Sequence, residues 1–432
     1  MKTPQARIYL HNRLMKNIIT FFFNAKCLFL LIFFASFLLF LAHISYTKTA
    51  LYSDSRFYFA YTRSLVKDHD IKLTNDFLMM DIQPFENENG LAVNTYSPGT
   101  SFFWIPLYWM VDNVVSIYKV DDGLTLLHQI SSGFTSIFLA TLGLFLIYRV
   151  LSDYFPKNIS LLATFLLFST TNLLFYMGVE PLTSHAASFF TTAFFLYFFI
   201  KHKKDRYYYL TLGIIAGVCG VVRILDSFIL IIPITELLIK KFRIILKLKL
   251  VLILTTGFLI GFLPQIYIWK IFFDRYMLGP SWGYPFDFKN PHILYVLFNS
   301  QNGLFLLTPI VGIAVIVLLL KTLGFRILKL FEILNLGFGI SNKIEKVPPR
   351  IFFYALLYFL LHLYLISSWA VFTQGGSYSI RMMISTYPLL SFGSAYLIDY
   401  FNKKIGELKT VLGIFILSFT NIVLIIRYLL LF

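Results

Sequence analysis

Apolar runs, most of them about long enough to cross a bilayer, recur along the whole of this chain, at 26–46, 124–149, 158–176, 183–200, 207–222, 227–239, 250–272, 303–320, 351–371, 382–399 and 409–431. A helix crossing the hydrocarbon layer needs about 20 apolar residues, each advancing it by about 1.5 Å. The runs 207–222 and 227–239 fall short of that length, with Arg223 and Asp226 between them. They form either two short spans or one broken stretch, and irregular backbone at that depth belongs in protein or beside a cavity. Charged residues make up 13% of the chain, against about 25% in soluble proteins. So few charges do not cover a water-facing surface, and lipid is the solvent this chain requires. The sequence therefore predicts an all-α polytopic membrane protein of about 11 transmembrane helices, a single transmembrane domain over 1–432.

The net charge of +16 suggests nucleic acid at first sight. The basic residues instead sit in short clusters between apolar runs, such as Lys201, Lys203, Lys204 and Arg206, then Lys240, Lys241, Arg243, Lys247 and Lys249. That is the bias of cytoplasmic loops, and nucleic acid is not an expected partner. The first run follows Lys2, Arg7, Arg13, Lys16 and Lys26. It is long for a signal peptide and no small-residue cleavage site follows, so it is expected to be a retained span starting in the cytoplasm. Connections 150–157, 201–206, 240–249, 321–350 and 400–408 are then cytoplasmic and all carry Lys or Arg. Connections 47–123, 177–182, 223–226, 273–302 and 372–381 face outward and are acidic, aromatic or nearly uncharged. A multi-pass protein of the cell (inner) membrane is expected. Cys27 and Cys219 lie inside apolar runs and predict neither disulfide nor metal knuckle.

The first extracytoplasmic loop, 47–123, carries Asp54, Asp68, Asp70, Asp76, Asp81, Glu86, Glu88, Asp112, Asp121 and Asp122. Within it, 55–67 has helical periodicity with an aromatic face, and 99–118 is apolar with Trp104, Pro106 and Trp109. Were 99–118 a span, every later basic cluster would face outward. It is therefore expected to lie in the outer interface. The cytoplasmic loop 321–350 ends in Pro348 and Pro349 and looks like an amphipathic surface segment.

Ionisable side chains near membrane depth are costly and usually have a partner or a purpose. Asp54 lies just past the first span, able to take a proton from a hydroxyl or bind a cation, or else paired with Arg56 or simply solvated. Tyr96-Ser97-Pro98-Gly99 precedes the interfacial segment, as a sharp turn or an ordinary helix start. Glu180 and His185 lie at an outer junction, as a second acid and a phosphate contact, or as an acidic helix start beside a structural histidine. Arg223 and Asp226 either pair on one helix face or hold and position an anionic headgroup. Arg381 follows Gly375, Gly376 and Tyr378; it either forks around phosphate oxygens or snorkels to the interface. No P-loop, dinucleotide glycine fingerprint, HExxH or GxSxG is present, so nucleotide-driven pumping has no seat here.

The ordered set YSDSRFYFAYTRSLVKDHDIKLTND, NTYSPGTSFFWIPLYW, GVEPLTSHAASFF, LGIIAGVCGVVRILDSFILIIP and GGSYSIRMMISTYPLL resembles the bacterial GT-C glycosyltransferases. That class includes protein O-mannosyltransferases and the lipid A aminoarabinose transferase. The resemblance implies a polyprenyl-phosphate-linked sugar as donor, an envelope glycan, lipid or protein as acceptor, and inversion at the sugar. It implies Asp54 as the essential acid. The family's usual Asp-Glu pair reads Asp54-Ser55 here, so the second acid is expected elsewhere, at Glu180. It further matches the family's arginines to Arg223 and Arg381, the latter with Gly375, Gly376 and Tyr378 before it; His185 is expected with the two arginines at the donor phosphate, and Tyr96, Tyr378 and Asp226 around the substrate. No cofactor is certain; a divalent metal is compatible with the carboxylates. Two other functions fit the same spans: a transporter or flippase for a lipid-linked or amphiphilic substrate, and a non-catalytic partner in an envelope-polysaccharide complex. Transporters tend to show repeat symmetry and midplane charges, whereas the polar features here crowd one face.

Overall fold

Asn24 caps the first described helix with its own side chain, Oδ1 accepting from the backbone N–H of Lys26 at 3.0 Å and of Cys27 at 3.4 Å. Those are donors that a helix start otherwise leaves unpaired. The helix it opens, α1 (Ala25–Thr47), is apolar on every side and ends at Lys48 in the left-handed conformation. The structure is a computed structural model that describes residues 24–118, 121–276, 284–323 and 347–431. The N-terminal basic residues Lys2, Arg7, Arg13 and Lys16, and most of the loop 321–350, lie outside the described residues.

The described residues form helices joined by turns and irregular segments, with no strand beyond two isolated bridges, Glu86 with Ala92 and Phe286 with Trp369. After α1 come α2 (Ser55–Arg63), α3 (Gly99–Tyr118), α4 (Leu126–Leu151), α5 (Lys157–Ser169), α6 (Ser184–Lys201) and α7 (Tyr208–Val222). Then follow α8 (Ile231–Ile239), α9 (Ile244–Phe273), α10 (Pro309–Thr322), α11 (Pro349–Ser368), α12 (Tyr387–Ile405) and α13 (Glu407–Leu431). Each apolar run forms helix over most of its length, and only part of the roughly 11 expected spans reaches full crossing length. Among the described residues, five helices, α1, α4, α9, α11 and α13, are long and apolar enough to cross a membrane. Other runs are interrupted. The run 303–320 breaks at Thr308, which separates a single turn, Leu304–Leu307, from α10. The run 382–399 begins as a 3₁₀ turn, Arg381–Thr386, before α12. The paired short runs resolve as a break: α7 stops at Val222, Arg223 is extended (φ −149°, ψ 123°), and a 3₁₀ turn, Ile224–Leu230, leads into α8.

Small residues set the closest helix contact. Gly213 and Gly217 of α7 face Gly257 and Gly261 of α9, and a Cβ on any of the four would collide with backbone of the opposite helix. Apolar lipid does not push helices together, so close backbone packing must hold such a pair. The helix 99–118 is bound differently. Trp104 is fully buried and its Nε1 donates to Ser136 Oγ of α4 at 2.8 Å, while Trp109, Ile117 and Tyr118 on its other face are exposed. Ser136→Ala should leave the Trp104 ring packing in place and lose this bond, lowering stability by about 1–3 kcal/mol because the buried indole N–H is left unpaired. Thermal unfolding of purified protein reads the change, and an unaltered transition would show that the bond contributes nothing.

The described part of the loop 47–123 is folded. Segment 55–67 forms α2, continued as a π turn over Ser64–Asp68. Arg63 is buried there between Asp68 (2.6 Å) and Asp76 (2.8 Å). Burial pushes the Asp76 carboxyl up to about 6, against the opposing pull of Arg63. Asn87 ties the loop to the end of α9, its Nδ2 donating to the carbonyls of Ile271 (3.1 Å) and Phe272 (3.2 Å).

Candidate functional site

Asp54 is placed by a tight turn. Ser55 N–H donates to Tyr52 O at 3.1 Å, and Ser55 Oγ accepts from Tyr52 N–H at 2.8 Å. Just before Asp54, Ser53 sits at φ +47°, a conformation that costs an L side chain energy and persists where surrounding structure enforces it. Asp54 precedes α2 without capping it, so its carboxylate is free to turn into the protein. It does not pair with Arg56, whose Nη1 donates to Met80 O at 2.8 Å. It meets Arg381 instead, with Nη2 and Oδ2 2.8 Å apart, and Oδ1 accepts the Tyr96 hydroxyl at 2.9 Å.

Arg381 is delivered by a second constrained segment. Gln374, Gly375 and Ser379 all have positive φ, at 54°, 61° and 56°, and the 3₁₀ turn begins at Arg381 itself. Burial alone would pull the guanidinium down, but Asp54, with smaller help from Tyr176 and Glu180, outweighs that and holds it well above its ordinary value.

Arg223 comes from the break after α7. Gly99 packs so tightly on the backbone of Val221 and Val222 that a Cβ would stand 2.5 Å from Val221 C. The glycine thus does more than turn the chain into α3: it lets the start of α3 abut the residues that carry Arg223. Arg223 Nη1 donates to Ser184 Oγ at 3.2 Å and to His185 Nδ1 at 2.8 Å. A guanidinium only donates, so His185 Nδ1 accepts and its proton is on Nε2. Arg223 and Asp226 do not pair, because the extended backbone at Arg223 removes the shared helix face that their spacing suggested.

These groups border one cavity of about 840 Å³. Asp54, Tyr96, Glu180, His185, Arg223 and Arg381 all line it. Glu180 keeps part of its surface open to the cavity. Burial pushes its carboxyl up to about 7, Arg381 pulls it back, and the Asp54 charge pushes it further up. Two carboxyl groups in one cavity are thus held in different states, one ion-paired and one titrating near neutrality, a separation typical of acid–base sites.

Two residues expected near substrate lie elsewhere. Tyr378 is fully buried, its hydroxyl donating to Asn421 Oδ1 at 2.9 Å, and it anchors the Gly375–Gly376 loop to α13. Asp226 is fully buried too, accepting from Ser188 Oγ at 2.6 Å, with His362 Nε2 3.6 Å away. It ties the 3₁₀ turn to α6 and α11. Neither lines the cavity.

The cavity also uses residues that sequence reasoning passed over. His43 and Tyr52 line it, with His43 Nε2 3.2 Å from the Tyr52 hydroxyl. His43, an ionisable group near the end of an apolar run, was the available signal. Tyr58 lines it as well, and its hydroxyl donates to Ser184 Oγ at 2.9 Å. The arrangement can hold an anion between two guanidinium groups, beside one charged carboxylate and one near-neutral carboxyl. No protein-family model and no curated protein matches the chain, so the GT-C resemblance rests on these residues.

Proposed function

We propose that this protein is a membrane glycosyltransferase of the GT-C kind, moving a sugar from a polyprenyl-phosphate donor to an envelope acceptor at the extracytoplasmic face. The observation that carries the reading is the meeting of Asp54, Glu180, Arg223 and Arg381, distant in sequence, around one cavity. In this reading the donor phosphate lies against Arg223 and Arg381 and its tail in lipid. On binding, Arg381 exchanges Asp54 for phosphate oxygen, and Asp54, released from its counter-ion, becomes the stronger base. The acceptor oxygen attacks the anomeric carbon as its proton passes to Asp54. The bond from that carbon to the phosphate oxygen breaks, its electron pair leaving with the lipid phosphate, whose charge the two guanidinium groups stabilise. Neutral Glu180 serves as the second acid, donating a hydrogen bond to the departing phosphate.

Detergent-purified protein given a polyprenyl-phosphate-linked sugar should release free polyprenyl phosphate. A transporter would need a membrane to act across and would leave the donor whole. Absence of any turnover across varied sugars and acceptors would remove the transferase reading.

Glu180 gives the reading a pH dependence. Its carboxyl titrates near 7, so raising the pH through that value puts a second negative charge beside an anionic donor. The KM for donor should rise on the order of tenfold from pH 6 to pH 8, and Glu180→Gln should flatten the rise. A rise of equal size in Glu180→Gln would assign it to another group.

A further inference from the structure

A second cluster of ligating side chains stands apart from the cavity. It forms where the outer loop rejoins the helical body. Asp112 lies near the end of α3, Asp121 in the turn that follows, and His128 in the first turn of α4. One oxygen from each carboxylate and one ring nitrogen of His128 lie within 4.8 Å of one another. None of the three borders the Asp54 cavity.

Three observations distinguish this cluster from a solvated acidic patch. The His128 side chain is fully buried and Asp121 is 3% exposed. Asp121 Oδ1 accepts the Gly123 N–H at 2.6 Å, while its buried Oδ2 has no hydrogen-bond partner. A buried carboxylate oxygen left alone is expensive, and a cation is one remedy. His128 Nδ1 lies 2.8 Å from Thr125 Oγ1. A carboxylate only accepts, so without a metal Nε2–H donates to Asp112 Oδ1, 3.2 Å away; when Nε2 exchanges that proton for a metal, Nδ1–H donates to the Thr125 hydroxyl, which accepts as readily as it donates. Holding one ring nitrogen so that the other can ligate is how proteins orient metal-binding histidines. The turn is itself fixed: Gly123 has φ +79°, and the Tyr108 hydroxyl donates to Gly123 O at 2.7 Å.

We infer that Asp112, Asp121 and His128 form a divalent-cation site that fastens the outer loop to the start of α4. Two carboxylates and an imidazole suit zinc or manganese, whereas calcium and magnesium favour all-oxygen sets. Lys67 is the competitor: its Nζ lies 2.9 Å from Asp112 Oδ1 and its side chain is 17% exposed. A long, partly exposed ammonium can swing to solvent as a metal arrives, so Lys67 acts as the counter-ion of the metal-free state. The inference does not depend on the transferase reading.

Chelator-stripped full-length protein in detergent, incubated with Zn²⁺ and desalted, tests it by metal content and melting temperature. One zinc per chain and a higher melting temperature are expected, with calcium giving neither. Asp121→Asn and His128→Gln should each weaken zinc binding by more than the roughly 10–100-fold that losing a supporting residue costs. Lys67→Gln should tighten it about tenfold by removing a like charge. No zinc retained by the unaltered protein, or equal retention in both ligand variants, would overturn the inference. Should those two variants fail to fold, Lys67→Gln decides: tighter binding supports the site, while unchanged or weaker binding marks an ordinary ion-pair network.

Discussion

Asp54→Asn should reduce kcat for sugar transfer by about 10²–10⁴-fold, the usual contribution of a positioned base, with little change in donor KM. Asparagine keeps the shape of aspartate and an oxygen for the Tyr96 hydroxyl, which donates to Asp54 Oδ1 at 2.9 Å. It gives up the charge that holds Arg381 at 2.8 Å. Arg381 is then freer to meet phosphate, so donor binding should survive where chemistry fails. Arg381→Ala should do the reverse and more: KM rises because a phosphate ligand is gone, and kcat falls because the leaving group loses a stabilising charge. Initial rates of purified variants over a range of donor concentrations separate the two patterns. If Asp54→Asn retains full kcat, the Asp54–Arg381 pair is structural and the base lies elsewhere.

Gly217→Leu should be the most disruptive single substitution outside the cavity, costing about 3 kcal/mol or more, at the upper end of overpacking penalties. The glycine meets α9 backbone at Phe258 and Gly261, and backbone, unlike a side chain, has no alternative rotamer. Prising α7 from α9 also moves Val221 and Val222, against which Gly99 packs, and with them Arg223. The variant should therefore lose donor binding along with stability. Gly413→Leu, on α13 where a Cβ meets nothing, is the matched control and should be nearly silent. Melting in detergent with parallel donor-binding measurements reads both effects. Equal melting of the two variants would show that the glycine contact does not hold the helix pair.

The helices were legible because apolar runs of membrane length depend on composition alone, which no tertiary contact overrides. Where runs break was legible only in part. Pro309 was the local mark of the break at Thr308, since a proline pushes the preceding residue out of the helical region and suits a helix start, whereas the stop of α7 at Val222 follows from packing of Gly99 and from the partners of Asp226, both remote in sequence. The glycine face of α7 and α9 was visible as the spacing of Gly213 with Gly217 and Gly257 with Gly261, but which helix each meets is a tertiary fact. For the cavity, residue chemistry singled out Asp54, Glu180, His185, Arg223 and Arg381, since an ionisable group at membrane depth needs a reason to be there. Pairing was less readable. Sequence proximity favoured Arg56 for Asp54 and Asp226 for Arg223, whereas the structure gives Arg381 and His185. Tyr378 shows the opposite limit: an aromatic beside Gly375–Gly376 looks like a ligand contact, yet its hydroxyl is taken by Asn421 on a helix far along the chain.

In the proposed function, two guanidinium groups and two carboxyl groups, drawn from four separate parts of the chain, build one seat for a lipid phosphate. An electron cryo-microscopy map of the full-length protein with polyprenyl phosphate shows whether they do. Phosphate density is expected in contact with both Arg223 and Arg381, with Arg381 turned away from Asp54 and the prenyl tail running out between helices. Phosphate bound away from the cavity, with the Arg381–Asp54 pair intact, would contradict it.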